Sequence, residues 1–289
     1  MKLDALRTAE ALLPIGGLCL FLFSTMAVFA VRCVTVGRPR TPYVEARSAA
    51  SIWKWWMEWW IWLWGPVERA CLALHVTPNA ITLASTALTA VAAALLGMGH
   101  LSAGGWLYLF AASLDIVDGR VARAQGSSSK AGAFLDSTLD RVAELFVFAG
   151  LAVFFRETSA LYAALAAAGA SVIVSYARAR GETLGAGEAS KVGGMQRAER
   201  VVLTGGPCAL APLFDRLIGS GGGAFVVGSA LALLAVLTTL TAVQRGSAIW
   251  RALRGPVPPA AVRPLTNVRW LDNVRWLDTA ARRRQRLGR

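Results

Sequence analysis

Four aspartates and one arginine stand where two apolar segments end. The first stretch is Asp115-Ile-Val-Asp118-Gly119-Arg-Val-Ala122-Arg123, and eight residues later comes Gly132-Ala-Phe-Leu-Asp136-Ser-Thr-Leu-Asp140. Charge at membrane depth is costly, so ionisable residues kept there are functional by default. On a helix, offsets of three, four and seven return to one face, which aligns Asp115, Asp118, Gly119 and Ala122. Asp136 and Asp140 stand one turn apart on the following segment. Packed antiparallel, two such helices bring four carboxylates together, and four like charges require cations among them. Hard oxygen ligands select Mg2+, Mn2+ or Ca2+, and two divalent ions neutralise the set. Lone aspartates commonly cap helices, but capping uses one residue per helix end rather than two in register.

The spacing D-x2-D-G-x2-A-R-x8-G-x3-D-x3-D resembles the signature of the CDP-alcohol phosphotransferases, with every specified position filled. The hydrophobic pattern of the surrounding six segments resembles that family as well, closest to its phosphatidylinositol (phosphate) synthase branch. The resemblance implies an integral membrane enzyme that transfers a phosphatidyl group from CDP-diacylglycerol to a small polar alcohol, releasing CMP. It implies two ions, Mg2+ or Mn2+, held by Asp115, Asp118, Asp136 and Asp140, with Asp140 also taking the proton of the acceptor hydroxyl. Asp115, Gly119, Ala122, Arg123, Gly132 and Asp136 are expected around the CDP moiety. Gly119 has no Cβ and admits the nucleotide to the helix backbone, Ala122 keeps that face small, and the planar fork of Arg123 suits phosphate. Gly132 serves close approach at the start of the next helix. Two alternatives stand beside this reading: a CDP-linked small alcohol donating to diacylglycerol, and a non-catalytic membrane scaffold, which has no reason to keep four aspartates in register.

The elements that must position these residues are apolar helices. The chain of 289 residues is 55% hydrophobic yet carries a net charge of +13. Its apolar residues gather into runs near the roughly 20 residues that cross a bilayer, at 11–31, 81–98, 103–122, 133–155, 158–177, 200–217 and 223–243. The expected fold is all-α: a six-helix transmembrane bundle with an extra N-terminal transmembrane helix. Val28-Phe29-Ala30 would suit signal-peptide cleavage, but an uncleaved anchor is the preferred reading. Arginine and lysine concentrate at 32–69, 120–130, 178–200 and beyond 245. The positive-inside rule then puts the N-terminus outside, the C-terminus inside and the aspartates at the cytoplasmic face, in the plasma (inner) membrane. No basic stripe interleaved with aromatics indicates a nucleic-acid partner. Cys19, Cys33, Cys71 and Cys208 are scattered, and His75 and His100 are isolated, which points to neither a zinc site nor a disulfide framework.

Four regions are expected: an anchor and basic linker at 1–47, a tryptophan-rich helix at 48–72, the six-helix domain at 73–245 and a basic, proline-containing tail at 246–289. Seven tryptophans fall between Trp53 and Trp64. Indoles favour the headgroup boundary, so this segment reads as an amphipathic helix in the interface, with Lys54 and Glu58 as its polar stripe and a bend at Gly65-Pro66. Thr77-Pro78-Asn79 opens the next helix, with proline early as helices allow. In the tail, Asn267-Val-Arg-Trp-Leu-Asp272 is repeated at 273–278, too few copies for a repeat fold. Runs such as Ala166-Ala167-Ala168-Gly169-Ala170 permit close helix contact, and the family resemblance implies a homodimer.

The acceptor alcohol is read from the basic loop after the fourth of the six domain helices. Arg178, Lys191, Arg197 and Arg200 gather there, and Arg197 and Arg200 are spaced to face one anion. Gln196-Arg197-Ala198-Glu199-Arg200 resembles the branch of the family using inositol or inositol phosphate, and a K-x-K-T pattern, associated with glycerol-phosphate users, does not follow the aspartates.

Overall fold

The computed structural model describes residues 2–39 and 51–254, all of whose regular elements are helical. The duplicated Asn-Val-Arg-Trp-Leu-Asp unit, the arginine-rich tail and the linker at 40–50 lie outside the described residues. A long helix α1 (Lys2–Thr35) is followed by α2 (Ser51–Leu63) and α3 (Gly65–Ala73). Then come α4 (Pro78–Gly97), α5 (Leu101–Ala124), α6 (Lys130–Phe154) and α7 (Ala160–Thr183). A single 3-10 turn (Ala189–Lys191) leads to α8 (Arg197–Ala209), α9 (Ala211–Ile218) and α10 (Gly222–Arg254).

Length and apolarity mark α4, α7 and α10 as candidate membrane spans, and the bent pair α8–α9 as a fourth. Helices α5 and α6 occupy the ranges expected of spans but carry the charged motif at their facing ends. The span expected at 200–217 is not one continuous helix: the chain breaks at Leu210 with a 55° bend. Pro207 and Pro212 supply no backbone N–H to the ladder on either side of that break, and Gly205-Gly206 adds two weak helix formers. The tryptophan-rich segment likewise divides, at Trp64, with Pro66 in the first turn of α3. Glu58 does not join Lys54 in a solvated stripe. It is buried and ion-paired with Arg38, while Phe29 of α1 packs between Trp55 and Trp62 at ring centroid distances of 5.5 and 5.6 Å.

Helix α4 is the hub of the site-bearing half, packing along both α5 and α6, which touch each other little. Its small residues allow this. Ala93 receives Gly150 of α6 so closely that a Cβ on the glycine would collide with the Ala93 carbonyl, and Ala92 with Leu96 receives Gly104 of α5. On the far side, Gly105 of α5 lies against Cys208 and Ala209 of α8. The main core runs through these contacts, with Leu96, Tyr108, Val147, Leu151, Ala164, Leu231 and Leu234 buried together. A second cluster, Trp64, Ile81, Val117 and Val121, wraps the motif end of α5. Outward-facing Phe225, Val236 and Val243 on α10 suit contact with lipid.

Close approach at Gly105 has a measurable consequence. Gly105→Ala places a methyl against the Ala209 backbone and is expected to cost about 1–3 kcal/mol. Gly206→Ala, whose Cβ meets nothing, is expected to be neutral or stabilising by up to about 1 kcal/mol. Unfolding midpoints of the purified variants in mild detergent check this, and equal midpoints would contradict the contact between α5 and α8.

Candidate active site

The last turns of α5 and the first turns of α6 bring the motif together beside α4, which packs on both helices. The chain reverses between them at 125–129, where Ser129 caps α6 by accepting a 3.0 Å hydrogen bond from Gly132 N–H. This cap stands at the start of α6, whose second and third turns carry Asp136 and Asp140. Carboxylate oxygens of Asp115, Asp118 and Asp136 all lie within 4.8 Å of one another. The two aspartate helices therefore do not meet by direct antiparallel packing, as expected from the sequence, but across α4.

Two hydroxyls on α4 hold the α5 carboxylates. Thr82 donates to Asp118 Oδ2 at 2.7 Å, and Asp118 is the most buried of the four. Ser85 Oγ lies 2.8 Å from the Ala111 carbonyl and 3.3 Å from Asp115 Oδ1, so one proton is shared between two acceptors. The sequence singles out Thr82 only as the end of the Thr77-Pro78-Asn79-Ala-Ile81-Thr82 helix entry, which resembles the family's and is expected near the nucleotide, and it does not single out Ser85. Their signal was a row of hydroxyls, Thr82, Ser85 and Thr89, at offsets of three and four on one face of a largely apolar helix.

Asp140 lies outside the three-carboxylate group, and Arg197 links it to the rest. The guanidinium at the start of α8 pairs with Asp115 through Nη1 and with Asp140 Oδ1 through Nη2 at 2.9 Å. One cation thus spans both aspartate helices. The three oxygen donors fit a divalent ion of the Mg2+ or Mn2+ type: they are hard and convergent, and they include no nitrogen or sulfur.

The remaining motif residues surround this centre. Arg123 folds back over Gly119, where a Cβ would come 3.4 Å from Nη1. Gly132 sits close to Asn79 of α4, whose Oδ1 would lie 3.5 Å from a Cβ at that position, so the first turns of α4 and α6 adjoin. Ala122 occupies the same face of α5 one turn beyond Asp118.

The basic loop divides differently from expectation. Arg200 does not share an anion with Arg197. It is 3% exposed, its guanidinium grips both oxygens of Glu144 at 2.6 and 2.9 Å, and Nη1 donates to the Met195 carbonyl. A cation so fully bonded is committed to the interior, and removing one partner of such a pair costs about 3–5 kcal/mol. Arg178 pairs with Glu182 at 3.0 Å and Lys191 with Glu188 at 2.7 Å, both at the surface. Of the four residues expected to meet the acceptor, Arg197 alone contacts the motif carboxylates among the described residues. Arg245, not singled out beforehand, is buried on α10 and donates to the carbonyls of Val192 and Val174 and to Gln196 Oε1. It thereby ties down the loop that ends at Arg197. By sequence Glu144 is one charge among several in 133–155 and Arg245 only marks where the basic tail begins, just past 223–243.

Comparison with known proteins places this geometry. The family model of the CDP-alcohol phosphatidyltransferases matches residues 75–241. The phosphatidylinositol phosphate synthase of Mycobacteroides abscessus is 35% identical over 189 residues, covering 64% of this chain and 82% of that protein. The corresponding synthase of Corynebacterium glutamicum is 36% identical over 190 residues, covering 62% and 80%. Among solved structures, Mycobacterium tuberculosis phosphatidylinositol phosphate synthase with CDP-DAG bound superposes with a TM-score of 0.56 at 28% identity, covering 67% of this chain and 97% of that one. The same enzyme in complex with manganese and citrate gives 0.59 at 28% identity, covering 67% and 92%. The matched segment contains α4 through α9, every motif aspartate and most of α10, and on that ground the chain belongs to the CDP-alcohol phosphatidyltransferase family.

Proposed function

We propose that this protein transfers a phosphatidyl group from CDP-diacylglycerol to the hydroxyl of inositol phosphate or inositol, releasing CMP, in phospholipid biosynthesis. The observation that carries the reading is the convergence of Asp115, Asp118 and Asp136, with Asp140 joined to them through Arg197. In this reading two divalent ions, Mg2+ or Mn2+, neutralise the carboxylates and the pyrophosphate and supply Lewis acidity. Arg123 pairs with a donor phosphate, and Gly119, Ala122 and Gly132 leave room for the nucleotide beside the backbone. Asp140 receives the acceptor's proton as its oxygen bonds to the phosphatidyl phosphorus and the bond to CMP breaks. Arg197 holds the acceptor's phosphate. Arg178 and Lys191, each paired with a glutamate at the surface, lie along the same loop, and Arg200 supports α8 from within.

Six helices, α4 to α7, α8–α9 and α10, cross the membrane in this proposal. The anchor α1 crosses once more, and α2–α3 lies at the interface with its tryptophans partly turned into the protein. The domain comprises 73–245, flanked by the anchor and linker at 1–47, the tryptophan-rich segment at 48–72 and the tail at 246–289. The aspartates face the cytoplasm at the inner membrane, and the active form is a homodimer. The basic character of 120–130 and 178–200 supports this orientation.

Activity is expected to disappear in EDTA and return with Mg2+ or Mn2+. Asp115→Asn, Asp118→Asn and Asp136→Asn are each expected to lower CMP release by at least about a hundredfold through lost metal affinity. Asp140→Asn is expected to lose turnover while retaining CDP-diacylglycerol. Full activity in EDTA, or in any of the four variants, contradicts the metal-dependent reading.

Inositol 1-phosphate is expected to outperform inositol, glycerol 3-phosphate and serine when acceptors are compared by CMP release. Arg197→Ala is expected to raise the acceptor's KM about tenfold or more, well beyond any change for CDP-diacylglycerol. Exclusive use of serine or glycerol 3-phosphate would reassign the acceptor.

Single-cysteine variants at residue 128 and within 181–199 are expected to resist impermeant thiol reagents in intact cells and to react after permeabilisation. Labelling at residue 128 from outside would reverse the topology.

A further inference from the structure

Arg120 lies inside the motif but turns away from its carboxylates. Counting at helical spacing, it stands more than a third of a turn from Asp115 and on the flank opposite Asp118. Its side chain reaches α3, where Nε and Nη2 approach Glu68 Oε2 at 2.6 and 2.5 Å. The pair is largely shielded, with side-chain exposures of 27% for Arg120 and 15% for Glu68. Other contacts join the same two elements. Trp64 packs on Phe110 at a centroid distance of 5.6 Å and is buried with Val117 and Val121, against which Cys71, Leu72 and Val76 also rest. Gln125, just past the end of α5, donates to the Val76 carbonyl at 3.0 Å.

These contacts matter because of what the motif end of α5 lacks. It makes little contact with α6, so its last turns are placed by α4, by α8, whose Arg197 pairs with Asp115, and by α3. Helix α4 fixes the Asp118 side through Thr82. The side bearing Arg120 depends on α3, which precedes the segment matched by the family. A partly exposed ion pair contributes at most about 1 kcal/mol to folding, too little to explain the pair as a major source of stability. Placement is another matter, since a misplacement of about 1 Å can cost a hundredfold in a reaction that needs aligned groups.

We propose that Glu68 is a positioning residue for the nucleotide-linked donor: through Arg120 it sets the turn that carries Gly119, Ala122 and Arg123 against the pyrophosphate. The inference rests on the function proposed above and extends it to a residue outside the matched domain. Glu68 touches neither donor nor acceptor and acts only through Arg120.

The test uses full-length enzyme carrying Glu68→Gln, Glu68→Asp or the exchange Glu68→Arg with Arg120→Glu. Glu68→Gln is expected to raise the KM for CDP-diacylglycerol about tenfold, with kcat within about twofold and the acceptor's KM unchanged. Glu68→Asp and the exchanged pair are expected to return that KM to within about threefold of wild type. Thermal stabilisation by CDP-diacylglycerol without acceptor, which needs no turnover, is expected to weaken in Glu68→Gln and recover in the other two. An unchanged donor KM in Glu68→Gln overturns the proposal. So does a loss confined to kcat and unfolding midpoint, and so does failure of both Glu68→Asp and the exchanged pair to restore the donor KM. CMP release by the wild-type enzyme is scored separately, so failure of the functional reading gives a different result from failure of the positioning role.

Discussion

Like charges held in a partly buried cleft must be met by opposite charge, and three carboxylates with oxygens within 4.8 Å of one another impose that demand at the centre of this protein. At such separations each pair repels by about 1 kcal/mol in water and several times more where the surroundings are less polar. The neighbourhood is organised around this repulsion. Thr82 and Ser85 turn hydroxyls toward Asp118 and Asp115, and Arg197 spans Asp115 and Asp140. What hydroxyls and one guanidinium leave uncompensated is suited to divalent cations. Helices α5 and α6 make little direct contact and are joined through α4, which suits a site where ions and a pyrophosphate would lie between their motif ends.

Cations elsewhere in the bundle serve a different end. Arg200 and Arg245 are nearly inaccessible and bonded to interior acceptors. Arg200 binds α8 to α6 through Glu144, and Arg245 fixes the loop from Val192 to Gln196 against α7 and α10. Arg197 follows immediately after that loop. Arg197, which pairs with two motif carboxylates, is thus held in place by two other arginines that are bonded to interior acceptors.

The N-terminal elements extend this pattern beyond the matched domain. Phe29 of α1 packs among the tryptophans of α2, Arg38 just past α1 pairs with Glu58, and α3 is joined to α5 through Glu68 and Trp64. A continuous set of contacts therefore runs from the first helix to the motif. It gives the tryptophan-rich segment a structural task besides any affinity for the lipid boundary.

Much of the site was legible in the sequence because its signal is local. Aspartates at offsets of three and four specify shared helix faces whatever the tertiary fold, so the motif, its suitability for a divalent metal and the helical class could be read directly. Charge between apolar runs pointed in the same way to a membrane protein. Tertiary structure decided what depends on partners distant in the chain. Arg197 and Arg200 are equivalent by spacing, yet one reaches the carboxylates and the other is consumed by Glu144, because which acid lies nearest a guanidinium is set by where α5 and α6 stand around the start of α8. The same holds for Thr82 and Ser85, ordinary hydroxyls until α4 brings them beneath the motif, and for Glu58, which reads as solvated until Arg38 arrives from outside its own helix. Periodicity encodes a residue's face, but the occupant of the space opposite that face is chosen by the fold.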